Sequence, residues 1–563
     1  MVHSILRGAV LTAAATLLLF SCEKPVFVPE IEVIPEVNND EVGVYEAGIY
    51  VTVNGSGTLS GEDWKDAMSE NIFREKLLSG AFSSGTVIHL EGGNYALGTS
   101  ASSVPTVSTS LIIKGGYRSG IYTQYPEKYA TYLTGGTDWR IFTISSGATL
   151  TLDGVGFTGS TGAENMGAVY VNGGTLKISN ATICNNFSPY AAGAIQVSAG
   201  GKLEASSCTF KNNVANKGGA IYVDSSNSSC TLSECKIYGN LAHHSGGAIH
   251  ATAGTVTIKG CSFMGNESIQ SQGGSFYIKG GAKLYCDDSN FYQEHTGNRG
   301  SVLGFEEEGT EAFFNQCVMD NCSSIVTSSL FYNNADYGKL YFNGCTIKNS
   351  EVAEKYGVIA VTNSPNMVLG FNNCAMTGAF STWENANSQQ CCWFNINKIG
   401  KMTMSNCSLI GVPKSDKKEL PKFGLLRMNG DEVNAHFFNN IIASTSVSGC
   451  GIYGGDTQKN LTVTGKYNKM SPVSTQVAGT FDYQLGEGDS AEMFAEDFQD
   501  LAWDGNAWTW ENTSMTTPTA NVNAAIQAYD PDFYAWLSSI GALNTDIYGN
   551  PRGDNSWPGS YQK

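Results

Sequence analysis

Basic residues are scarce in this 563-residue chain: 33 Lys and Arg stand against 51 Asp and Glu, for a formal charge of −18. A surface that grips nucleic-acid phosphates needs a basic stripe, and none is visible, so nucleic acid is excluded as a partner. Charged residues of both signs reach only 15%, while glycine numbers 65 and aromatics make up 11%. That balance suits short strands and tight turns better than helices. Only seven histidines are present, and there is no His-Glu-x-x-His, no Gly-x-Ser-x-Gly and no phosphate loop ending in Gly-Lys-Ser/Thr. No Cys-x-x-Cys occurs either, which removes zinc-ribbon and thioredoxin-like chemistry. No cofactor and no metal site are expected.

Beyond the first 22 residues no apolar run approaches membrane-spanning length. Those first residues carry Arg7, an apolar stretch from Ala9 to Phe20, and then Ser21-Cys22, the order of a secretion signal. Leu19-Phe20-Ser21-Cys22 resembles a bacterial lipobox, although Phe20 is bulky for it; an ordinary cleaved signal is the alternative. The resemblance implies a signal peptide over 1–21, acylation at Cys22 and membrane contact through that lipid only. Residues 22–48 follow as a tether, with Pro25, Pro29 and Pro35 among seven acids and one lysine after the cysteine, a composition that buries no core. The location implied is the outer membrane of a bacterial envelope, at the cell surface or on the periplasmic face.

The middle of the chain repeats. Gly-Gly-Ala-Ile-Tyr-Val at 218–223 returns as Gly-Gly-Ala-Ile-His-Ala at 246–251 and Gly-Gly-Ser-Phe-Tyr-Ile at 273–278. Aligning the phrase gives a small-residue column: Ala168, Ala194, Ala220, Ala248, Ser275, Ser301, Ser329, Val358, Cys392, Leu425 and Gly451. A second column runs Val155, Ala181, Cys208, Cys235, Cys261, Ser289, Cys317, Cys345, Cys374, Cys407 and Asn440, at spacings of 26 to 33 residues. Three residues before it an apolar column runs from Leu152 and Ile178 to Met404 and Phe437. Within a repeat, Val256 and Ile258 share one face of a strand, as period-two alternation requires. Asn186, Asn213, Asn240 and Asn266 close the turns. Columns that keep step over about eleven turns of three short strands predict an all-β fold, a parallel β-helix, with coils about 4.8 Å apart.

The pairing of Gly-Gly-Ala-Ile with Phe-x-x-Asn (Phe210…Asn213, Phe263…Asn266) resembles the repeat of the chlamydial polymorphic outer-membrane proteins. It is also similar to repeats of right-handed β-helix proteins of the pectate-lyase-like superfamily. That superfamily includes lyases, hydrolases and adhesins, so the resemblance implies a right-handed solenoid and leaves activity open. The expected organisation is an N-terminal cap over 49–85, the β-helix over 86–470 and a tryptophan-rich C-terminal cap over 471–563. Asp63–Leu78 reads as an amphipathic capping helix that covers the first coil with Trp64, Ala67, Met68, Ile72 and Leu78. A short helix is expected near Asp530–Leu537, and a sugar-binding module is the alternative for this tryptophan-rich end.

Seven of the fifteen cysteines recur once per coil in the inward column, so mostly free buried thiols are expected, with Cys230/Cys235, Cys317/Cys322 and Cys391/Cys392 open. His243-His244 reads as a solvated turn, and Glu306-Glu307-Glu308 alternates faces and makes no calcium cage by itself. The residue after the inward Ile of each phrase should face solvent: Tyr170, Gln196, Tyr222, His250, Tyr277, Leu303, Phe331, Ala360, Phe394, Arg427 and Tyr453. Six of these eleven are aromatic. Tyr170, Tyr222, His250, Tyr277, Phe331, Phe394 and Tyr453 are the candidate ligand contacts, for a glycan or a protein partner, against the alternative of rings that only stabilise a long sheet. No column of converging acids or bases marks a catalytic site. The expectation is a non-enzymatic, adhesin-like envelope lipoprotein. A polysaccharide lyase or glycoside hydrolase is the alternative, recognisable by paired carboxylates, or a carboxylate and a base, in a groove.

Overall fold

A computed structural model describes residues 41–97, 100, 103–136, 139–161, 167–326, 330–333, 336–352, 357–361, 364–378, 380–381, 393–411, 425–444, 452–454, 461–471, 474–475, 481–484, 486–490, 502–503, 508–509 and 517–561. The signal, Cys22 and most of the tether lie outside these residues, as do Cys391 and Cys392. Among the described residues no helix is long and apolar enough to cross a membrane.

The chain winds as a parallel β-helix whose coils stack in four ladders. Ladder A contains Thr106–Val107, Phe142–Ser145, Val169–Asn172, Ile195–Ser198, Ile221–Val223, Ile249–Ala251 and Phe276–Ile278. Ladder B contains Thr175–Ser179, Lys202–Ser206, Ser229–Ser233 and Thr255–Lys259. Ladder C is a sheet of fourteen strands, and ladder D, with eight, fills the corner between C and A. Ladders A and B join in one sheet of 29 strands, because Phe394–Ser405 and Leu426–Phe438 run through both. All ladder pairings are parallel and most are in direct register, so each inward residue sits on its equivalent one coil below.

The cysteine column holds without a slip from Val155 to Asn440, and its members are buried. Eleven described cysteines, among them Cys230, Cys235, Cys317 and Cys322, are free thiols. Their sulfurs instead face backbone carbonyls, as Cys261 Sγ does those of Leu232 and Lys259 at 3.5 and 3.4 Å. The corner asparagines form a continuous chain: Asn186 Nδ2 donates to Asn213 Oδ1, Asn213 to Asn240 and Asn240 to Asn266, at 2.9–3.0 Å. Glu294 ends the chain, accepting from the Asn266 backbone N–H and Nδ2 and from Ser275 Oγ.

A helix is present toward each end, as expected, with bounds of its own. The N-terminal element is a 3₁₀ turn at Trp64–Asp66, a strand pair at Met68–Ser69 and a helix only over Glu70–Leu78. Met68 keeps its expected inward place, but the helix covers the core with Phe73 and Leu77 and leaves Leu78 exposed. The Ser69 side chain caps this helix, so it starts later than hydrophobic spacing suggested. At the other end, helices Thr519–Tyr529 and Pro531–Ser539 lie along the outer side of ladder B. Phe533 packs on Tyr341 and stands where any side chain at Gly370 would be. Arg552 is buried and donates to Asn373 Oδ1 and Gly559 O. This part of 471–563 braces the wall of the solenoid.

Candidate functional site

The second residue of each ladder A strand points outward. Strand pairing aligns Tyr170, Gln196, Tyr222, His250, Tyr277, Gly304, Tyr332, Ala360, Asn395, Arg427 and Tyr453. Phe331 and Phe394, expected on this face, instead lie in the core with Leu303. The slip begins at Gly300. In each phrase the first glycine holds the left-handed turn (Gly218, Gly246, Gly273 and Gly300 at φ +62 to +75°), so Gly300 matches the first glycine of the phrase and Val302 the small residue. A one-residue error in register moves every side chain to the other face, so Tyr332 and Asn395 occupy the places assigned to Phe331 and Phe394. The strand of Tyr453 keeps register, but its side chain lies outside the described residues.

The face is recessed between two walls. One wall is the residue before each glycine phrase, Lys217, Ser245, Gln272 and Arg299. The other is the residue after each strand, Asp224, Thr252, Lys279 and Glu306. Glycine backbone forms the close edge of the first wall: a Cβ on Gly246 would stand 2.5 Å from Ile249 O and 3.0 Å from His250 Cβ. As a result His250 is 1% exposed and Tyr277 6%, while Tyr170 and Tyr222 are half-buried. The rings pack on one another, Tyr222 against His250 at 5.1 Å and His250 against Tyr277 at 4.7 Å, tilted by 46° and 51°. An open strip of flat aromatic faces is therefore absent here.

Polar groups from neighbouring coils meet on this floor. Tyr277 Oη and Gln272 Nε2 both donate to the Glu306 carboxylate, the latter at 2.6 Å. Gly304 makes that possible, because a Cβ there would sit 2.5 Å from Gln272 Cβ and 2.9 Å from the Tyr277 ring. Gln196 Nε2 donates to Asp224 Oδ2 at 2.8 Å. His250 Nδ1 faces Ser245 Oγ at 2.9 Å, which in turn faces His244 Nδ1 at 3.2 Å, so His243-His244 is more than a solvated turn. Arg299 lies over the Tyr332 ring and bonds its hydroxyl. Burial pushes the His250 imidazole down to about 3, so it is neutral at physiological pH. Burial, reinforced by Glu306, raises the Tyr277 phenol and keeps it protonated as a donor.

Three atoms on this floor have no partner among the described residues although they are buried: Gln196 Oε1, His250 Nε2 and Gln272 Oε1. Farther along, both amide atoms of Asn395 are in the same condition. Buried polar atoms are nearly always bonded in folded proteins, and exceptions call for a bound molecule or water. Gln196, Gln272, Glu306, Arg299, Tyr332 and Asn395 did not stand out as candidates in the sequence. Gln272 and Glu306 are 34 residues apart, and only the coil register brings them together. Among the described residues no three His, Cys, Asp or Glu side chains are grouped to hold a metal ion.

Residues 207–224 match the repeat of the Chlamydia polymorphic membrane proteins. No curated protein matches the chain by sequence. Solved structures similar to it include alginate lyase AlyF-OU02 in complex with G6, at 11% identity over 85% of this chain and 94% of that one, TM-score 0.36. Pectate lyase Pel9A is similar at 15% identity over 62% and 81%, TM-score 0.31. The Agl-KA catalytic domain is similar at 13% identity over 79% and 70%, TM-score 0.26.

Proposed function

We propose that this chain is a cell-envelope lipoprotein, anchored through Cys22, that binds a glycan in the ladder A groove. The observation that carries the reading is the row of unsatisfied buried acceptors and donors at Gln196, His250 and Gln272. Sugar hydroxyls both donate and accept, and can replace the water that otherwise occupies such positions. A groove spanning several coils suits a chain-like ligand better than a compact one. The repeat match at 207–224 supports an envelope location. The test is a glycan-array screen of the full chain, followed by Tyr222→Ala/Tyr277→Ala and Gln272→Ala. Binding by the parent and loss of at least tenfold in both variants is expected; unchanged binding in both ends the groove reading.

An enzymatic reading draws on Glu306, a carboxylate oriented by two donors within the groove. A glycoside hydrolase needs a second carboxylate roughly 5–9.5 Å away. Asp224 is three coils distant in the same wall, about 14 Å at coil spacing, and Glu307 is engaged by Lys279 at 2.6 Å. The geometry therefore favours binding over hydrolysis.

A further inference from the structure

A second, separate cleft of about 270 Å³ opens on ladder C, with a ladder between it and the groove on either side. Its floor is one outward column in direct register, Tyr132, Gly156, Thr182 and Thr209. Its wall is the segment around Pro126 and Glu127, which connects ladder B to ladder C. That wall is fixed before any ligand arrives: Gln124 Nε2 donates to Gly115 O at 2.9 Å, and Tyr125 N–H to Gly116 O at 2.7 Å. Gly156 keeps the floor hollow, since a Cβ there would lie 1.9 Å from Thr182 O and 3.1 Å from the Tyr132 ring.

The lining has a definite chemistry. Thr182 and Thr209 present hydroxyls at coil spacing, Ser207 adds one from the coil of Thr209, Tyr132 presents a ring, and the Glu127 carboxylate stands at the rim. None of the twelve lining residues carries a positive charge. We infer that this cleft binds one or two rings of an uncharged sugar. Hydroxyls that both donate and accept pair with sugar hydroxyls, the Tyr132 ring offers an apolar surface for ring C–H groups, and Glu127 accepts a further hydroxyl proton. Uronates and sulfated sugars are disfavoured, because their anions would meet Glu127 without a compensating cation.

The test is saturation-transfer NMR of the full chain with cellobiose, maltose, chitobiose and glucuronate as probes. At least one neutral disaccharide should receive saturation, and glucuronate should receive none through this site. Tyr132→Ala should weaken that disaccharide about tenfold. Thr209→Val, which preserves the β-branched shape and hence the strand, should weaken it several-fold. Gln272→Ala, in the groove, separates the two sites. Loss in Tyr132→Ala with retention in Gln272→Ala assigns binding to the cleft. The reverse pattern, glucuronate binding lost in Tyr132→Ala, or no transfer to any neutral probe overturns the inference.

Discussion

Two rows of polar side chains run along the same coils and end in opposite conditions. In the asparagine row at the ladder C–D corner, the Oδ1 atoms of Asn213, Asn240 and Asn266 each accept from the backbone N–H and side-chain Nδ2 of the coil before, and the Nδ2 atoms also reach backbone carbonyls. In the ladder A groove, the amides of Gln196 and Gln272 use their donors on carboxylates and leave their acceptors unused. The first row is closed on itself and serves cohesion. The second is held in place by its wall while keeping capacity for something outside the chain. Burial alone does not separate structural from functional polar residues; completeness of hydrogen bonding does.

The comparison can be broken most severely at Asn240. Asn240→Ala strands the Asn213 N–H in the interior and takes one partner each from Asn213 Nδ2 and the Phe210 carbonyl. A loss of about 3–5 kcal/mol is expected in urea unfolding. Glu294 sharpens the comparison from the end of the same row. Burial lifts its carboxyl from the ordinary 4.5 to about 8, so the folded state holds a proton that the unfolded chain releases. Its contribution is complete below about pH 4.5 and is lost as pH rises toward 8, on the order of 5 kcal/mol in all. Glu294→Gln should remove that slope; an unchanged pH profile in the variant argues against the assignment.

Smaller effects belong to the groove. Gln272→Ala removes one bond to Glu306, which is partly exposed and can take water instead, so its unfolding midpoint should move by less than about 1 kcal/mol. Glycan affinity of the ladder A groove should nevertheless fall at least tenfold in isothermal titration. A large stability loss without an affinity loss would place Gln272 with the asparagines. The smallest effect concerns pH. Because His250 titrates near 3, its neutral ring should leave affinity flat between pH 5.5 and 8, whereas a drop centred near 6.5 would mean that the ring is solvated.

What the sequence revealed followed from chemistry that repeats. The cysteine column registers correctly over its whole length because a small, buried residue is required at that bend in every coil. The outward column is correct through Tyr277 and again at Ala360, Arg427 and Tyr453, but slips by one at Leu303, Phe331 and Phe394; the first slip arises because Gly300-Ser301 keeps only the glycine that needs positive φ. The recess over His250 was not legible, because glycine backbone rather than any side chain closes it. Nor was the meeting of Gln272, Tyr277 and Glu306, which depends on coil stacking and on the missing side chain at Gly304. Side-wall bracing by Phe533 and Arg552 likewise rests on long-range packing that leaves no periodic mark.

The most direct test is a high-resolution structure of the full chain with a glycan selected on the array. The expected result is a sugar in the ladder A groove whose oxygens bond, directly or through one bridging water, to Gln196 Oε1, His250 Nε2 and Gln272 Oε1. A ligand bound elsewhere, with those three atoms satisfied by the protein's own side chains, would contradict the account.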